Sequence, residues 1–236
     1  MNLSINPYKL LIFSVSFVLF TPIGTVTHEY GHIAVAKSLG YKTILHYGSM
    51  EDSSYLTNNL NEIYNKNKNK ILNGIPFKEK EFYEARVKKL KYESLLITMG
   101  GPAQTILTGL IGLVIIFFRR KIIYQNRLNI LDWMAIFLSL FWLREVFNLV
   151  MSISRRILTQ SGSYFGGDEA IISRMLELPI GTISIILGVM GILISFYVIF
   201  RVIPKKVRLT FIVSGLLGGT AGFILWMNII GPIVLP

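Results

Sequence analysis

The sequence of 236 residues contains no cysteine, and histidine and aspartate are almost as scarce. Without thiols, the chain has neither disulfide bonds nor the thiolate ligands that many structural zinc sites use. A metal site here must therefore be built from histidine and carboxylate side chains. The histidines are His28, His32 and His46, and the aspartates are Asp52, Asp132 and Asp168.

Charged residues are also sparse, at 16% of the chain, whereas 52% of the residues are hydrophobic and the mean hydropathy is +0.55. This composition is typical of a protein with several membrane spans, and not of a soluble domain with one core. The net charge of +11 would suit a nucleic-acid partner, but the lysines and arginines fall mainly between apolar runs, as they do at membrane flanks. No nucleic-acid-binding motif lies near them, so we exclude nucleic acid as a partner.

Five apolar runs are long enough to cross a bilayer, which takes ~20 mostly apolar residues. We therefore predict an all-α membrane protein with five transmembrane helices, a single polytopic domain over 1–236 and the lipid bilayer as its surroundings. The predicted spans are 8–39, 93–118, 129–153, 179–203 and 207–230. Basic residues flank spans on both faces, so the distribution of charge assigns no orientation.

The one sizeable polar region is a loop over 40–92, between the first two predicted spans. Its middle part, 58–70, is rich in asparagine and lysine, which favours a flexible segment. From 77 to 90 apolar residues recur at helical spacing, and Glu84 and Lys88 form a favourable i, i+4 pair. This stretch is interpreted either as an amphipathic helix on the membrane surface or as a solvated helical lead into the second span.

A short motif, His28-Glu29-Tyr30-Gly31-His32, stands at the end of the first apolar run. Residues four apart lie on one face of a helix, so His28 and His32 can bind one metal ion together. Glu29 then lies beside the metal, where it can accept a proton from a bound water. Ionisable side chains are costly within a membrane segment, and the motif therefore predicts a functional metal site.

A third protein ligand is needed, because a catalytic zinc ion takes three ligands from the protein and keeps one position open for water. With five spans, Asp168 lies on the same membrane face as His28 and His32, whereas Asp132 lies on the opposite face. Asp168 is therefore the first choice for this ligand. The alternatives near that face are Glu169, His46 and Asp52.

Three further polar residues lie in the half of the third predicted span that is nearest the motif. For Arg144 and Glu145 the sequence favours a structural ion pair within the helix bundle over a role in catalysis. Asn148, one turn after Arg144, suits either the orientation of a ligand or substrate, or a hydrogen bond between helices.

Together, these residues resemble the site-2 protease family of intramembrane zinc metalloproteases. The matching pieces are the histidine motif with its Gly31, the pair Gly101-Pro102 in the next predicted span, and Asp168 near the start of a later helix. The resemblance implies a Zn²⁺ ion held by His28, His32 and Asp168, with Glu29 as the general base. It also implies a zinc metalloendopeptidase that hydrolyses a peptide bond in or near a transmembrane helix of a membrane-protein substrate.

The chain departs from the family pattern at several points. Thr105 stands where the Gly-Pro motif usually continues to an asparagine, Glu169 stands where a glycine usually follows the aspartate, and no PDZ-like domain is present. This describes a divergent, minimal member, expected as an integral multi-pass protein of the bacterial cytoplasmic membrane. The departures also keep open a non-proteolytic relative, which binds membrane helices or serves a metal-dependent transporter.

Overall fold

The computed structural model describes residues 5–53, 55–125, 128–161 and 163–236, so 1–4, 54, 126, 127 and 162 of the predicted single domain lie outside the described residues. About 81% of the chain is helical, in agreement with the predicted all-α architecture. The helices are α1 (Pro7–Ser38), α2 (Tyr55–Leu72), α3 (Lys80–Tyr124), α4 (Ile130–Ser139), α5 (Leu143–Thr159), α6 (Gly167–Met175), α7 (Thr182–Tyr197), α8 (Lys205–Leu225) and α9 (Gly231–Val234).

Shorter helical turns and one hairpin complete the fold. A 3-10 turn over Leu140–Trp142 joins α4 to α5, and π-helical turns over Val198–Val202 and Trp226–Ile230 extend α7 and α8. The strands β1 (Lys42–Leu45) and β2 (Met50–Ser53) pair antiparallel in a hairpin that directly follows α1.

Local signals explain the two ends of α1. The Asn6 side chain accepts a hydrogen bond from the backbone N–H of Lys9 at 3.0 Å, and Pro7 occupies the first turn, where its missing N–H is not needed. After the last turn, Gly40 has φ +87°. This left-handed conformation ends the helix and turns the chain into the hairpin.

Among the described residues, four helical stretches are long and apolar enough to cross a membrane. They are Pro7–Ser38, Ile130–Thr159, Thr182–Val202 and Lys205–Val234. The predicted count of five is therefore wrong. The expected second span, 93–118, lies inside α3, a helix of 45 residues. No helix breaker separates it from the charged residues that precede it, so the chain continues through both as one mixed helix.

The polar region also differs from its prediction. The segment expected to be flexible, 58–70, forms most of α2, in which Leu60 and Asn67 are buried. The charged stretch 77–90 enters α3 at Lys80 and runs without interruption towards the apolar part. The structure thus has the helical lead, one of the two interpretations of this stretch.

The hydrophobic core lies at the end of the bundle away from the histidine motif. Aromatic rings from α1, α4 and α8 meet there, with Phe13 and Phe211 at 5.2 Å and Phe17 and Phe137 at 5.0 Å between ring centroids. Such edge-to-face pairs add to the stabilisation from burial. α1 packs most extensively against α8 and α3, and these contacts hold the motif at the other end.

Candidate metal centre

The motif reaches α3 through direct contact between two backbones. A Cβ atom at Gly31 would lie 2.4 Å from the carbonyl oxygen of Gly100, and a Cβ at Gly100 would lie 2.5 Å from that of Gly31. Neither distance is compatible with a side chain, so glycine is required on both helices. Gly31 in the motif is thus explained by close helix packing, which brings both histidines against α3.

Three side chains converge where α1, α3 and α6 meet. His28 and His32 are buried, at 1% and 6% exposed. One carboxylate oxygen of Asp168, Oδ2, lies 2.9 Å from Nε2 of His28 and 3.2 Å from Nε2 of His32. Glu29 completes the group, because its carboxylate and the ring nitrogens of the two histidines all lie within 4.8 Å of one another.

Asp168 owes its position to the start of α6. Gly167 precedes it with φ +74°, a conformation that glycine adopts without strain. The turn places Asp168 in the first turn of α6 and directs its carboxylate at α1. Burial alone would raise the pKa of this carboxyl, but the interactions with His28 and His32 outweigh it and hold the pKa well below its usual range. The group is therefore an anion at neutral pH.

Partners on the far side of each ring orient the histidines. Nδ1 of His32 donates to the carbonyl oxygen of Ile97 at 2.7 Å, and Nδ1 of His28 lies 2.9 Å from the hydroxyl of Thr105. Hydrogen bonds of this kind set the tautomer and ring angle of metal-binding histidines. Both rings consequently present Nε2 to Asp168.

The surroundings of His32 require either a second proton on the ring or a cation between the ring and Asp168. Nδ1 of His32 lies 2.7 Å from the carbonyl oxygen of Ile97 and 3.2 Å from the backbone nitrogen of Gly101. The shorter contact is to an oxygen that only accepts, so the proton of a neutral ring is on Nδ1, and Nε2 carries a lone pair. This lone pair would face an acceptor oxygen of Asp168 at 3.2 Å. The arrangement is repulsive unless the buried ring takes a second proton or a cation lies between the two atoms.

The spacing fits a tetrahedral zinc ion. Bonds of 2.0–2.1 Å at tetrahedral angles place neighbouring ligand atoms about 3.3 Å apart. The distances of 2.9 and 3.2 Å from Asp168 to the histidines are close to this value. Beside them, a Cβ at Gly101 would lie 2.3 Å from Nε2 of His32 and 2.5 Å from Nε2 of His28. The space next to both nitrogens thus exists because residue 101 has no side chain.

The other candidates for the third ligand have different surroundings. Glu169 is 2% exposed and accepts a hydrogen bond from Nδ2 of Asn148 at 3.3 Å. His46 contacts the carbonyl oxygen of Pro236 through Nδ1, and its Nε2 lies 3.7 Å from Glu51. Asp52 borders the cavity beside the motif, but among the described residues its carboxylate forms no hydrogen bond or ion pair with either histidine. Asp168 is the residue that the fold brings to both rings.

A cavity of about 420 Å³ opens beside the group and gives it access to solvent or substrate. Glu29, His32 and Asp168 form one wall. The hairpin contributes Gly48, Ser49, Met50 and Asp52, and α3 and α5 contribute the remaining side chains.

The third predicted span has a different polar contact from the expected one. Among the described residues, Arg144 forms no ion pair with Glu145, and its closest carboxylate is Glu29, with Nη2 and Oε1 4.0 Å apart. The predicted structural pair is therefore wrong, because the two side chains leave α5 in different directions. Asn148, by contrast, forms a hydrogen bond to another helix, one of its two interpretations.

Sequence reasoning missed two contributions from α3. Thr105 was noted only as a departure from a family pattern, whereas it is the partner of His28. In the sequence, Gly101 is only one half of the Gly101-Pro102 pair, whereas in the structure it leaves space for the histidines. The four-residue spacing of 101 and 105 was an available signal, since it places both on one helix face.

Comparison of the chain with protein-family models, with curated proteins and with solved structures gave no match.

Proposed function

We propose that this membrane protein is an intramembrane zinc metalloprotease of the site-2 type, located in the bacterial cytoplasmic membrane. The observation that carries the proposal is the convergence of Nε2 of His28, Nε2 of His32 and Oδ2 of Asp168, with distances of 2.9 and 3.2 Å from the carboxylate to the rings. The residues present thus fit zinc as the bound ion. Glu29 stands beside them at the edge of an open cavity.

Zinc, when bound, would polarise the carbonyl of the substrate and increase the acidity of water. The chain's own contribution is proton transfer by Glu29. Its carboxylate takes a proton from the attacking water as the oxygen of that water forms a bond to the peptide carbon. As the carbon–nitrogen bond breaks, Glu29 passes the proton to the departing amine.

The hairpin supports a peptide as the substrate. Within the described part of the chain, β2 pairs with β1 alone, so its other edge has free backbone N–H and C=O groups. Met50 and Asp52 of this strand border the same cavity as Glu29. An extended peptide can pair with such an edge, and its alternate side chains then enter the cavity. A transmembrane helix would have to unwind locally to bind in this way.

The first test is the zinc content of the detergent-solubilised protein. We expect near-stoichiometric zinc in the unmodified protein and in His46→Ala, which serves as the matched control, and little zinc in Asp168→Ala. Absence of zinc and other divalent metals from the unmodified protein, even after resupply, would favour the non-proteolytic alternative.

A second test separates binding from catalysis. Glu29→Gln keeps the shape of the side chain and removes its ability to accept a proton. The variant should retain zinc and lose cleavage of a co-expressed membrane-protein substrate. Undiminished cleavage by Glu29→Gln would contradict the proposed role of Glu29 as the general base.

A further inference from the structure

We propose that Arg144 is a catalytic residue of this site, whose guanidinium binds the carbonyl oxygen of the scissile peptide and stabilises the negative charge that develops there. The inference rests on the proposed peptide hydrolysis and assigns a role that the histidine motif does not provide. Arg144 projects from α5 into the cavity that Glu29, His32 and Asp168 border.

The guanidinium has unused donors. Its side chain is 26% exposed, and among the described residues none accepts a hydrogen bond from it. The Nε atom is buried and without a partner there. A guanidinium has five N–H donors and does not lose its charge in proteins. A buried donor that remains unpaired destabilises the fold, which is explained if the substrate supplies the acceptor.

Its distance from Glu29 distinguishes this residue from a structural ion pair. Nη2 of Arg144 and Oε1 of Glu29 are 4.0 Å apart, which is too far for a hydrogen bond. Arg119 shows what a structural pair in this protein looks like, because it holds Asp132 through two contacts of 2.5 and 3.2 Å. Arg144 is near enough to act on the same substrate as Glu29 but does not hold it.

The chemistry favours a second positive group at this place, in addition to a bound metal ion. When the oxygen of water forms its bond to the peptide carbon, the electron pair of the carbonyl double bond moves onto the carbonyl oxygen. Two N–H groups of one guanidinium can donate to that oxygen. As the carbon–nitrogen bond breaks, the pair returns to restore the carbonyl, and the proton held by Glu29 goes to the nitrogen. Arg144 neither gains nor loses a proton, so its effect is electrostatic.

The experiment uses the zinc-loaded, detergent-solubilised full chain. The probe is an equimolar pool of quenched-fluorescence transmembrane peptides whose central residues vary, and kinetics are then measured on the peptide that is cleaved best. Arg144→Ala should lower kcat about 100- to 1,000-fold, as the loss of one such donor does in other hydrolases. KM should stay within about threefold, and the zinc content should not change.

Two readouts identify a direct contact with the reacting oxygen. A phosphinic analogue of the best peptide, which imitates the tetrahedral carbon, should bind Arg144→Ala more weakly by a factor similar to the fall in kcat/KM. Added guanidinium should restore part of the activity of Arg144→Ala but none of that of Glu29→Gln. Arg144→Lys keeps the positive charge but loses the planar guanidinium with its paired N–H donors. Its kcat should be intermediate between those of the unmodified protein and Arg144→Ala. Arg155→Ala, an exposed arginine on the same helix, is the matched control and should be unchanged.

The outcomes distinguish failure of the proposed function from failure of the proposed role of Arg144. A zinc-loaded protein that cleaves no peptide in the pool would overturn both the proposed function and the role of Arg144. Cleavage by the unmodified protein with unchanged kcat in Arg144→Ala and Arg144→Lys would overturn the role of Arg144 alone. Loss of zinc in Arg144→Ala, or unaltered affinity for the phosphinic analogue, would do the same.

Discussion

Two aspartates at opposite ends of the bundle have opposite surroundings. Asp132 is fully buried and accepts hydrogen bonds from Arg119 at 2.5 and 3.2 Å and from the backbone N–H of Asn129 at 2.9 Å. Asp168 is 26% exposed, faces ring nitrogens of two histidines, and borders a cavity. The carboxylate of Asp132 is surrounded by N–H donors and closed to ligands. The carboxylate of Asp168 faces Nε2 of His32, which has no proton to donate in the neutral ring.

The two carboxylates differ in exposure, since Asp132 is fully buried and Asp168 is half-buried. A further difference lies in the partners, because a carboxylate surrounded by N–H groups needs nothing more, while one that faces a lone pair needs a proton or a cation. Asp132 also closes a capping box with Asn129 at the start of α4, which is a structural task.

The largest effect is expected at Asp168. Asp168→Asn keeps the size of the side chain but replaces an anionic ligand with a neutral one. The affinity for zinc should fall by more than about 100-fold, beyond the range seen when a residue that only hydrogen-bonds a ligand is changed. Metal titration with a competing chelator measures this directly. Unchanged zinc affinity in Asp168→Asn would contradict the assignment of Asp168 as a metal ligand, and the two aspartates would not differ in role.

Gly101 tests whether the space beside the rings is required. A Cβ at this position would lie 2.3 and 2.5 Å from the two Nε2 atoms, so Gly101→Ala must displace the rings or block the ion. We expect zinc affinity to fall by about 100-fold, similar to the largest losses seen when residues that orient metal ligands are changed. Gly219→Ala is the control, because nothing lies within 4 Å of a Cβ there. Equal zinc affinity in both variants would contradict the assignment.

Asp132→Asn makes the same substitution at the other aspartate and should affect stability instead of zinc binding. It removes the negative partner of Arg119 without approaching the histidines. The free energy of unfolding should fall by about 1–3 kcal/mol, the value of a hydrogen bond to a charged group. Thermal unfolding in detergent measures the loss, and zinc content should be unaffected. If Asp132→Asn had normal stability but had lost zinc, Asp132 would be a residue of the metal site and not a structural one.

The smallest effect is expected at Thr105, which orients His28 from behind. Thr105→Val keeps the shape of the side chain and removes the hydroxyl that lies 2.9 Å from Nδ1. Zinc affinity should fall about tenfold, similar to the smallest losses seen when a hydrogen bond to a metal ligand is removed. Thr105→Ser should restore it, since the hydroxyl returns. Identical affinity in Val and Ser variants would show that the hydroxyl does not orient the ring.

Much of the local structure could be predicted because its causes are local. The apolar runs, the helical spacing of His28 and His32, and the helical character of 80–90 all follow from periodicities within a few turns. The boundaries between helices were less predictable. The expected break before residue 93 is absent, since nothing in the charged stretch before it interrupts a helix, and 58–70 is helical despite its polar composition.

By itself, the sequence determined the kind of chemistry. A chain without cysteine that places His28, Glu29 and His32 on one helix face can build a metal site only with imidazole and carboxylate groups. Tertiary structure decided which carboxylate joins them. Asp168 is 140 residues from His28. The sequence makes it the first choice but leaves Glu169, His46 and Asp52 as alternatives.

Packing between helices also decided the surroundings of Thr105 and Arg144. The contact of Gly31 with Gly100 sets how closely α1 approaches α3, and it thereby brings His28 to Thr105. Arg144 of α5 lies near Glu29 of α1 only because these helices pack in one bundle. Side chains far apart in the chain meet only after helices have packed. A sequence pattern describes one helix at a time, whereas a metal site is a property of the distances between helices.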